Sequence, residues 1–140
     1  MKYTRTIATL LLMLGLVVGS AHGQAGSLAI KATVPFRFAI GGTSFAAGEY
    51  SIYPSSDRIW VYDASGRNGA VSFTGALDGK IPEHGGKVVF DCYFDECFLS
   101  QVWISGLDAG RTLPKSKRQI QLAKTVTRQE FALLGTKPLR

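Results

Sequence analysis

The two cysteines carry the most definite chemistry in this sequence. Cys92 and Cys97 are the only thiols among the 140 residues, whereas a structural zinc site normally takes four Cys or His ligands. In an oxidising compartment two such thiols can pair, provided that their Cα atoms lie within about 7 Å. A four-residue loop at 93–96 would place them directly opposite each other, and a two-residue loop at 95–96 would make them diagonal neighbours. We predict a disulfide; two small buried thiols are the alternative.

Groups able to act in acid–base or nucleophilic catalysis are few. Beyond residue 23, His84 is the only histidine, and it lies in a glycine-rich stretch without a Gly-x-Ser-x-Gly nucleophile elbow. Asp91, Asp95 and Glu96 are close in sequence, but a catalytic acid needs an apolar pocket and a turn is normally solvated. We therefore predict no catalytic residue, no metal site and no cofactor.

Basic residues are concentrated at the C-terminal end. From residue 111 onward there are eight Lys and Arg against one acidic residue, whereas residues 24–110 hold six basic and nine acidic residues. We predict that Lys115, Lys117, Arg118 and Lys124 contact an anionic surface, such as lipid head groups or a charged polymer. The alternative is that these cations pair inside the fold with the carboxylates of Asp57, Asp63, Asp78 and Asp108.

The N-terminus has the order of a secretory signal peptide. Lys2 and Arg5 precede an apolar core at 7–18, and small residues follow at 19–25. The core is shorter than the roughly 20 residues of a membrane-spanning helix. We predict a signal peptide at 1–23, with cleavage after Ala21 or Ala25 as alternatives. The mature protein would be periplasmic or secreted, without a transmembrane segment, and nucleic acid is set aside as a partner on that location.

The elements that must position these residues are mostly strands. Apolar and polar residues alternate along 28–34 and 36–40, which is the period of a strand with one buried face. Two runs rich in Val, Phe, Tyr and Trp, at 87–94 and 97–104, predict the central hairpin of a sheet, with Asp95 and Glu96 between them. We predict one all-β domain at 24–140, an antiparallel sandwich or barrel of about seven or eight strands.

The basic segment itself permits two structures. Ser116 is a suitable N-cap for a short helix near 115–124, with Ile120 and Ala123 facing inward. Alternatively, Ile120, Leu122 and Val126 alternate along a strand. We expect the helix, followed by a strand near 126–134.

Five aromatic residues complete the candidate set. They either fill the core or line a ligand cavity, and the core is favoured because a small domain needs large side chains for stability. These residues are Trp60, Tyr62, Tyr93, Phe98 and Trp103. An internal cavity lined by Trp60, Phe73 and Trp103 would instead indicate a carrier of a small apolar ligand.

Four motifs, in order along the chain, resemble those of an uncharacterised family of small exported bacterial β-rich proteins. They are Val34-Pro35-Phe36-Arg37-Phe38, Ala47-Gly48-Glu49-Tyr50, Phe98-Leu99-Ser100-Gln101-Val102-Trp103 and Gly110-Arg111-Thr112-Leu113-Pro114-Lys115-Ser116. The resemblance implies export and a compact β-rich domain, and it transfers no activity or catalytic residue. This sequence departs from the family's pattern at the hairpin, where Tyr-Gly-Asp is expected instead of Tyr93-Phe94-Asp95, and where the two cysteines are not expected.

These observations together predict an exported, non-enzymatic β domain with a binding or structural role at the cell envelope or outside the cell. A carrier with a β-barrel cavity is the alternative, and an exported hydrolase is less favoured.

Overall fold

The computed structural model describes residues 28–137, so the predicted signal peptide at 1–23 lies outside the described residues. The described residues form eleven strands and one short helix. The strands are β1 (Ile30–Val34), β2 (Phe38–Ile40), β3 (Thr43–Phe45), β4 (Gly48–Pro54), β5 (Arg58–Asp63), β6 (Gly69–Phe73), β7 (Gly75–Leu77), β8 (Gly86–Tyr93), β9 (Glu96–Ile104), β10 (Gly110–Thr112) and β11 (Gln129–Gly135). The helix, α1, spans Lys117–Ala123 and lies between β10 and β11.

The strands form two sheets. The first sheet has the order β1-β4-β5-β6 and the second the order β11-β8-β9-β10-β7, with β2 added in parallel to β9 and β3 paired to β2. The all-β prediction is confirmed, and the arrangement is a sandwich of open sheets, not a closed barrel. The predicted strand number was too low because β3, β7 and β10 have only three residues each, too few to show a period of two.

The core fills the space between the sheets. Alternation along β1 buries Ile30, Ala32 and Val34, as the sequence pattern predicts. At one end of the core the ring of Phe38 lies 5.0–5.3 Å from the rings of Phe45, Tyr50 and Phe90. Such edge and stacked contacts add to the free energy gained by burying large rings.

The central hairpin β8–β9 is confirmed, but its turn is placed one residue earlier than the sequence suggested. Tyr93 pairs with Glu96, so the turn residues are Phe94 and Asp95. This register puts Cys92 directly opposite Cys97, with Cα atoms 4.0 Å apart, and the predicted disulfide is present.

The helix prediction is confirmed, but the prediction of its buried side was wrong. The Ser116 hydroxyl accepts a hydrogen bond from the Gln119 backbone N–H at 3.2 Å, which caps the first turn. Gln119 is buried, whereas Ile120 is 46% exposed and Ala123 is also exposed. The reason is tertiary: the helix turns toward a buried carboxylate on the sheet instead of toward apolar side chains. No helix among residues 28–137 has the length and apolar character needed to cross a membrane.

Candidate binding surfaces

Alternation along β5 separates two kinds of apolar residue. Ile59 and Val61 point into the core, and Trp60 and Tyr62 point to the opposite, outer side of the first sheet. In the sheet register, Tyr53 on β4 pairs with Trp60, and Trp60 pairs with Val71 on β6. One edge of the sheet thereby acquires a continuous outward row of apolar side chains.

We call this surface the aromatic face, and define it as Tyr53, Trp60, Tyr62, Val71 and Phe73. Phe73 is 68% exposed, Val71 57%, and the two tyrosines 37% each. The rings of Tyr53 and Tyr62 lie 6.1 Å apart in an edge-to-face arrangement. Contiguous exposed apolar groups of this kind commonly mark an interaction site, because leaving them in water is unfavourable.

Two ion pairs lie around the aromatic face. The Arg58 guanidinium donates two hydrogen bonds of 3.0 Å to the Asp57 carboxylate, which lowers the pKa of Asp57 and raises that of Arg58. The same guanidinium lies 5.1 Å from the ring centroid of Phe73, as in a cation–π contact. On β1 and β4, Lys31 and Glu49 form an ion pair at 3.5 Å.

A shallow groove of about 370 Å³ lies at one end of the aromatic face. Its lining is Ser51, Tyr53, Tyr62, Asp63, Ala64, Ser65 and Gly66. The Asp63 carboxylate accepts hydrogen bonds from the Ser65 hydroxyl at 2.6 Å and from the Asn68 side-chain amide at 2.8 Å. These two donors hold the pKa of Asp63 below its ordinary value.

The outer side of the second sheet is covered. Val89, Asp91, Tyr93 and Phe98 are each no more than 5% exposed, and Trp103 is 6% exposed. The chain passes so close over the Trp103 ring that a Cβ at Gly79 or Gly110 would come within 2.5 or 2.7 Å of it. Helix α1 covers the neighbouring region, since the Gln119 amide lies 3.4 Å from the Asp91 carboxylate.

Trp60, Phe73 and Trp103 therefore do not line a common cavity, which was the alternative to a filled core. Trp60 and Phe73 lie on the outer side of the first sheet, and Trp103 lies on the outer side of the second, with the core between them. Of the five aromatic residues expected in a core or cavity, Tyr93, Phe98 and Trp103 are buried, Trp60 is half-buried and Tyr62 is exposed. The alternation of β-branched and aromatic residues in β5 was the signal for the aromatic face.

The four predicted anion-contacting residues lie on or beside α1, and all four are exposed. Arg118 pairs with Glu96 at 2.9 Å, across from the hairpin tip. Among residues 28–137, Lys115, Lys117 and Lys124 have no ion pair. Two carboxylates are paired with other cations, since Arg128 lies 3.6 Å from Asp91 and Arg111 lies 3.6 Å from Asp108.

The hairpin tip presents an apolar side chain in a strained conformation. Phe94 has a φ of 57°, in the left-handed region that favours glycine, and its side chain is 83% exposed. A depression of about 410 Å³ adjoins the tip, with Glu96 and Arg118 among its lining residues. Asp95 and Glu96 thus belong to a solvated turn, as their positions in the sequence suggest.

The remaining candidates for catalysis lie apart. His84 lines a surface depression with Gly85, Gly135, Thr136 and Lys137. Asp91 is buried, and its carboxylate contacts Gln119 and Arg128. Among residues 28–137, neither His84 nor Asp91 forms a hydrogen bond with a serine hydroxyl.

No family model, curated protein or solved structure matches this chain. Its function is therefore inferred from the chemistry of these surfaces.

Proposed function

We propose that the chain is an exported, non-enzymatic β-sandwich module that attaches to an anionic component of the cell envelope, in the periplasm or outside the cell. The observation that carries the proposal is the set of three exposed lysines without an ion pair, Lys115, Lys117 and Lys124, which lie within ten positions on or beside α1. The disulfide supports export, since disulfides persist mainly in oxidising compartments.

Ion pairs within the fold do not neutralise the charges of these three lysines. Asp57 is bonded to Arg58, Asp108 to Arg111, and Asp63 to Ser65 and Asn68. An anionic surface would supply the missing opposite charge without any rearrangement of the fold. Each basic side chain near such a surface contributes about 1 kcal/mol, and the attraction fades within about 10 Å.

Sedimentation of the mature protein with vesicles of neutral lipid, and of neutral lipid mixed with anionic lipid, tests this proposal. We expect binding to the anionic vesicles at low salt and weaker binding at physiological salt. Changing Lys115, Lys117 and Lys124 to Gln together should weaken binding about a hundredfold, as the loss of about 3 kcal/mol implies.

The matched control changes the same number of exposed cations without an ion pair elsewhere, as Arg67→Gln, Lys80→Gln and Lys137→Gln. It alters the net charge equally but leaves the α1 side intact. No binding at low salt, or equal weakening in both triple variants, would contradict the proposal.

A further inference from the structure

Strand β6 ends the first sheet, so among residues 28–137 only β5 pairs with it. Just outside the strand, the Asp63 backbone N–H donates to the Asn68 carbonyl at 2.9 Å, and the Thr74 N–H donates to the Asp57 carbonyl at 2.8 Å. In an antiparallel pair every second residue bonds to the same neighbouring strand. The even-numbered residues of β6 therefore bond to β5, and the backbone groups of the odd-numbered residues point away from the sheet.

We call the outward backbone groups of Gly69, Val71 and Phe73 the open edge. Edge strands are usually protected by charged residues, proline, a bulge or a very short length. Strand β6 has five residues, with neither charge nor proline, and it pairs with β5 without a register shift. The Ser72 hydroxyl donates to the Phe73 carbonyl at 3.1 Å, but this oxygen has a second lone pair. The open edge is thus ready to pair with another strand.

The other edge strands are less suited to pairing. On β1, the Lys31 N–H and carbonyl both bond to Thr136, at 2.7 and 2.9 Å, which closes that edge of the first sheet at this point. Strands β3 and β7 have only three residues each. Strand β11 carries Glu130 and is followed by Thr136, which pairs with β1. With one open edge on the first sheet, pairing would end with two chains and would not continue into a fibre.

From these observations we infer that two copies of the protein associate through β6, antiparallel about a twofold axis at Val71. In this register Val71 lies opposite Val71 of the second copy, and Phe73 lies opposite Gly69, so each residue of the open edge meets an outward-pointing residue. Gly69 has no side chain to obstruct the Phe73 ring of the second copy. The Tyr62 ring lies beside this position, since a Cβ at Gly69 would be 2.5 Å from it. Two aromatic rings therefore come together across the glycine.

The charges near the open edge are balanced in this arrangement. The turn between β5 and β6 carries Asp63 and Arg67, and Arg67 is exposed and has no ion pair among residues 28–137. The other end of β6 lies beside Asp57, which is bonded to Arg58. The twofold axis brings the turn of one copy to the other end of the second copy, so carboxylates and guanidiniums are present there in equal number. The association should therefore depend little on salt, whereas the anionic attachment depends on it strongly.

Sedimentation of the mature protein tests the association. A five-residue strand pair buries less than the roughly 1,600 Å² of a standard interface, so the dimer should form reversibly as the protein concentration rises from about 10 μM to about 1 mM. Val71→Lys should weaken it about tenfold or more, because the two added charges would face each other at the axis. Thr33→Lys is the matched control, since it adds the same charge at an exposed position on β1, and it should dimerise normally. Circular dichroism checks that both variants fold.

Cross-linking tests the register. In Val71→Cys the two new thiols lie opposite each other, with Cα atoms about 5.5 Å apart, which is within the range of a disulfide. Mild oxidation should then give a linked dimer on a non-reducing gel. Phe73→Cys is the control, because its thiols would lie about 14 Å apart in this register. The described residues contain no free cysteine to interfere.

A monomer at every concentration would overturn the inference, since a second copy would then not be the occupant of the open edge. So would a dimer that Val71→Lys and Thr33→Lys weaken equally, or cross-linking that is absent in Val71→Cys or equal in Phe73→Cys. The triple lysine-to-glutamine variant described above should dimerise like the wild type, so failure of this association and failure of the anionic attachment are distinguishable.

Discussion

The outer sides of the two sheets carry similar apolar residues, but one side is buried and the other is exposed to solvent. Trp103 on the second sheet is buried beneath the backbone at Gly79 and Gly110, and Asp91 lies under α1, whereas Phe73 and Val71 on the first sheet face solvent. The same kinds of side chain therefore stabilise the fold on one side and remain available for binding on the other. The residue composition of a strand alone does not show whether its outward side chains will be buried or exposed.

The largest expected effect on the free energy of unfolding is seen when a phenylalanine is changed to alanine on the outer side of each sheet in turn. Phe98→Ala, at 5% exposure, should cost about 3–5 kcal/mol in the free energy of unfolding. Phe73→Ala, at 68% exposure, should cost less than about 1 kcal/mol, mainly through its contact with Arg58. Urea denaturation measures both, and equal costs would remove the distinction between the covered and uncovered sides.

The disulfide should stabilise the covered side selectively. Changing Cys92 and Cys97 together to Ala should cost about 2 kcal/mol, because the enclosed loop is short. Hydrogen exchange should then accelerate at the β8–β9 tip and in α1, while β4 and β5 keep their protection. Equal acceleration in both sheets would show that the disulfide supports the whole sandwich.

The helix cap contributes less. Ser116→Ala should cost about 1 kcal/mol, since it removes the acceptor for the Gln119 backbone N–H. Ser51→Ala, on the outer side of the first sheet, is the matched control and should change stability by less than about 0.5 kcal/mol. Thermal unfolding compares the two variants; a cost for Ser51→Ala as large as that for Ser116→Ala would contradict the prediction.

A substitution at the hairpin tip should raise the stability of the fold, whereas the substitutions above lower it. Phe94→Gly should raise stability by about 0.5–1 kcal/mol, because glycine adopts the positive φ of this turn without strain. Phe94→Ala keeps a Cβ at that position and should bring no comparable gain. A loss of stability in Phe94→Gly, measured by the denaturation midpoint, would mean that the exposed ring stabilises the fold.

The smallest expected effect concerns the pKa of Asp63, in the groove at one end of the aromatic face. Hydrogen bonds from Ser65 and then Asn68 lower the pKa of Asp63, so the folded state favours the ionised carboxylate. The stabilisation is present above the ordinary pKa of an Asp and is lost as the pH falls through the lowered value. In a carboxyl NMR titration, Asn68→Ala should move the pKa of Asp63 upward, and an unchanged titration would contradict the assigned hydrogen bond.

Much of the local structure could be predicted from the sequence. Alternation in β1 placed Ile30, Ala32 and Val34 in the core, and the two long runs around Asp95 gave the central hairpin. Ser116 was correctly identified as a cap, and Cys92 and Cys97 as a pair. These features depend on near neighbours in the chain, whose residue types restrict the backbone directly.

The predictions that failed needed information about distant contacts. Gln119 faces inward because Asp91, 28 residues earlier, lies beneath the helix, and no periodicity within 115–124 reports that carboxylate. The turn at Phe94 and Asp95 was missed because its register is fixed by pairing along the whole hairpin.

The sequence by itself determined that the chain forms strands with two chemically distinct sides, that its two thiols flank one hairpin turn, and that cations gather at the C-terminal end. Only the tertiary structure decided which outer side is covered. A period of two assigns residues to opposite sides of a strand, but whether Trp60 or Trp103 meets solvent depends on where other segments of the chain pack, as at Gly79 and Gly110 over Trp103. That packing buries Trp103 and leaves the aromatic face open.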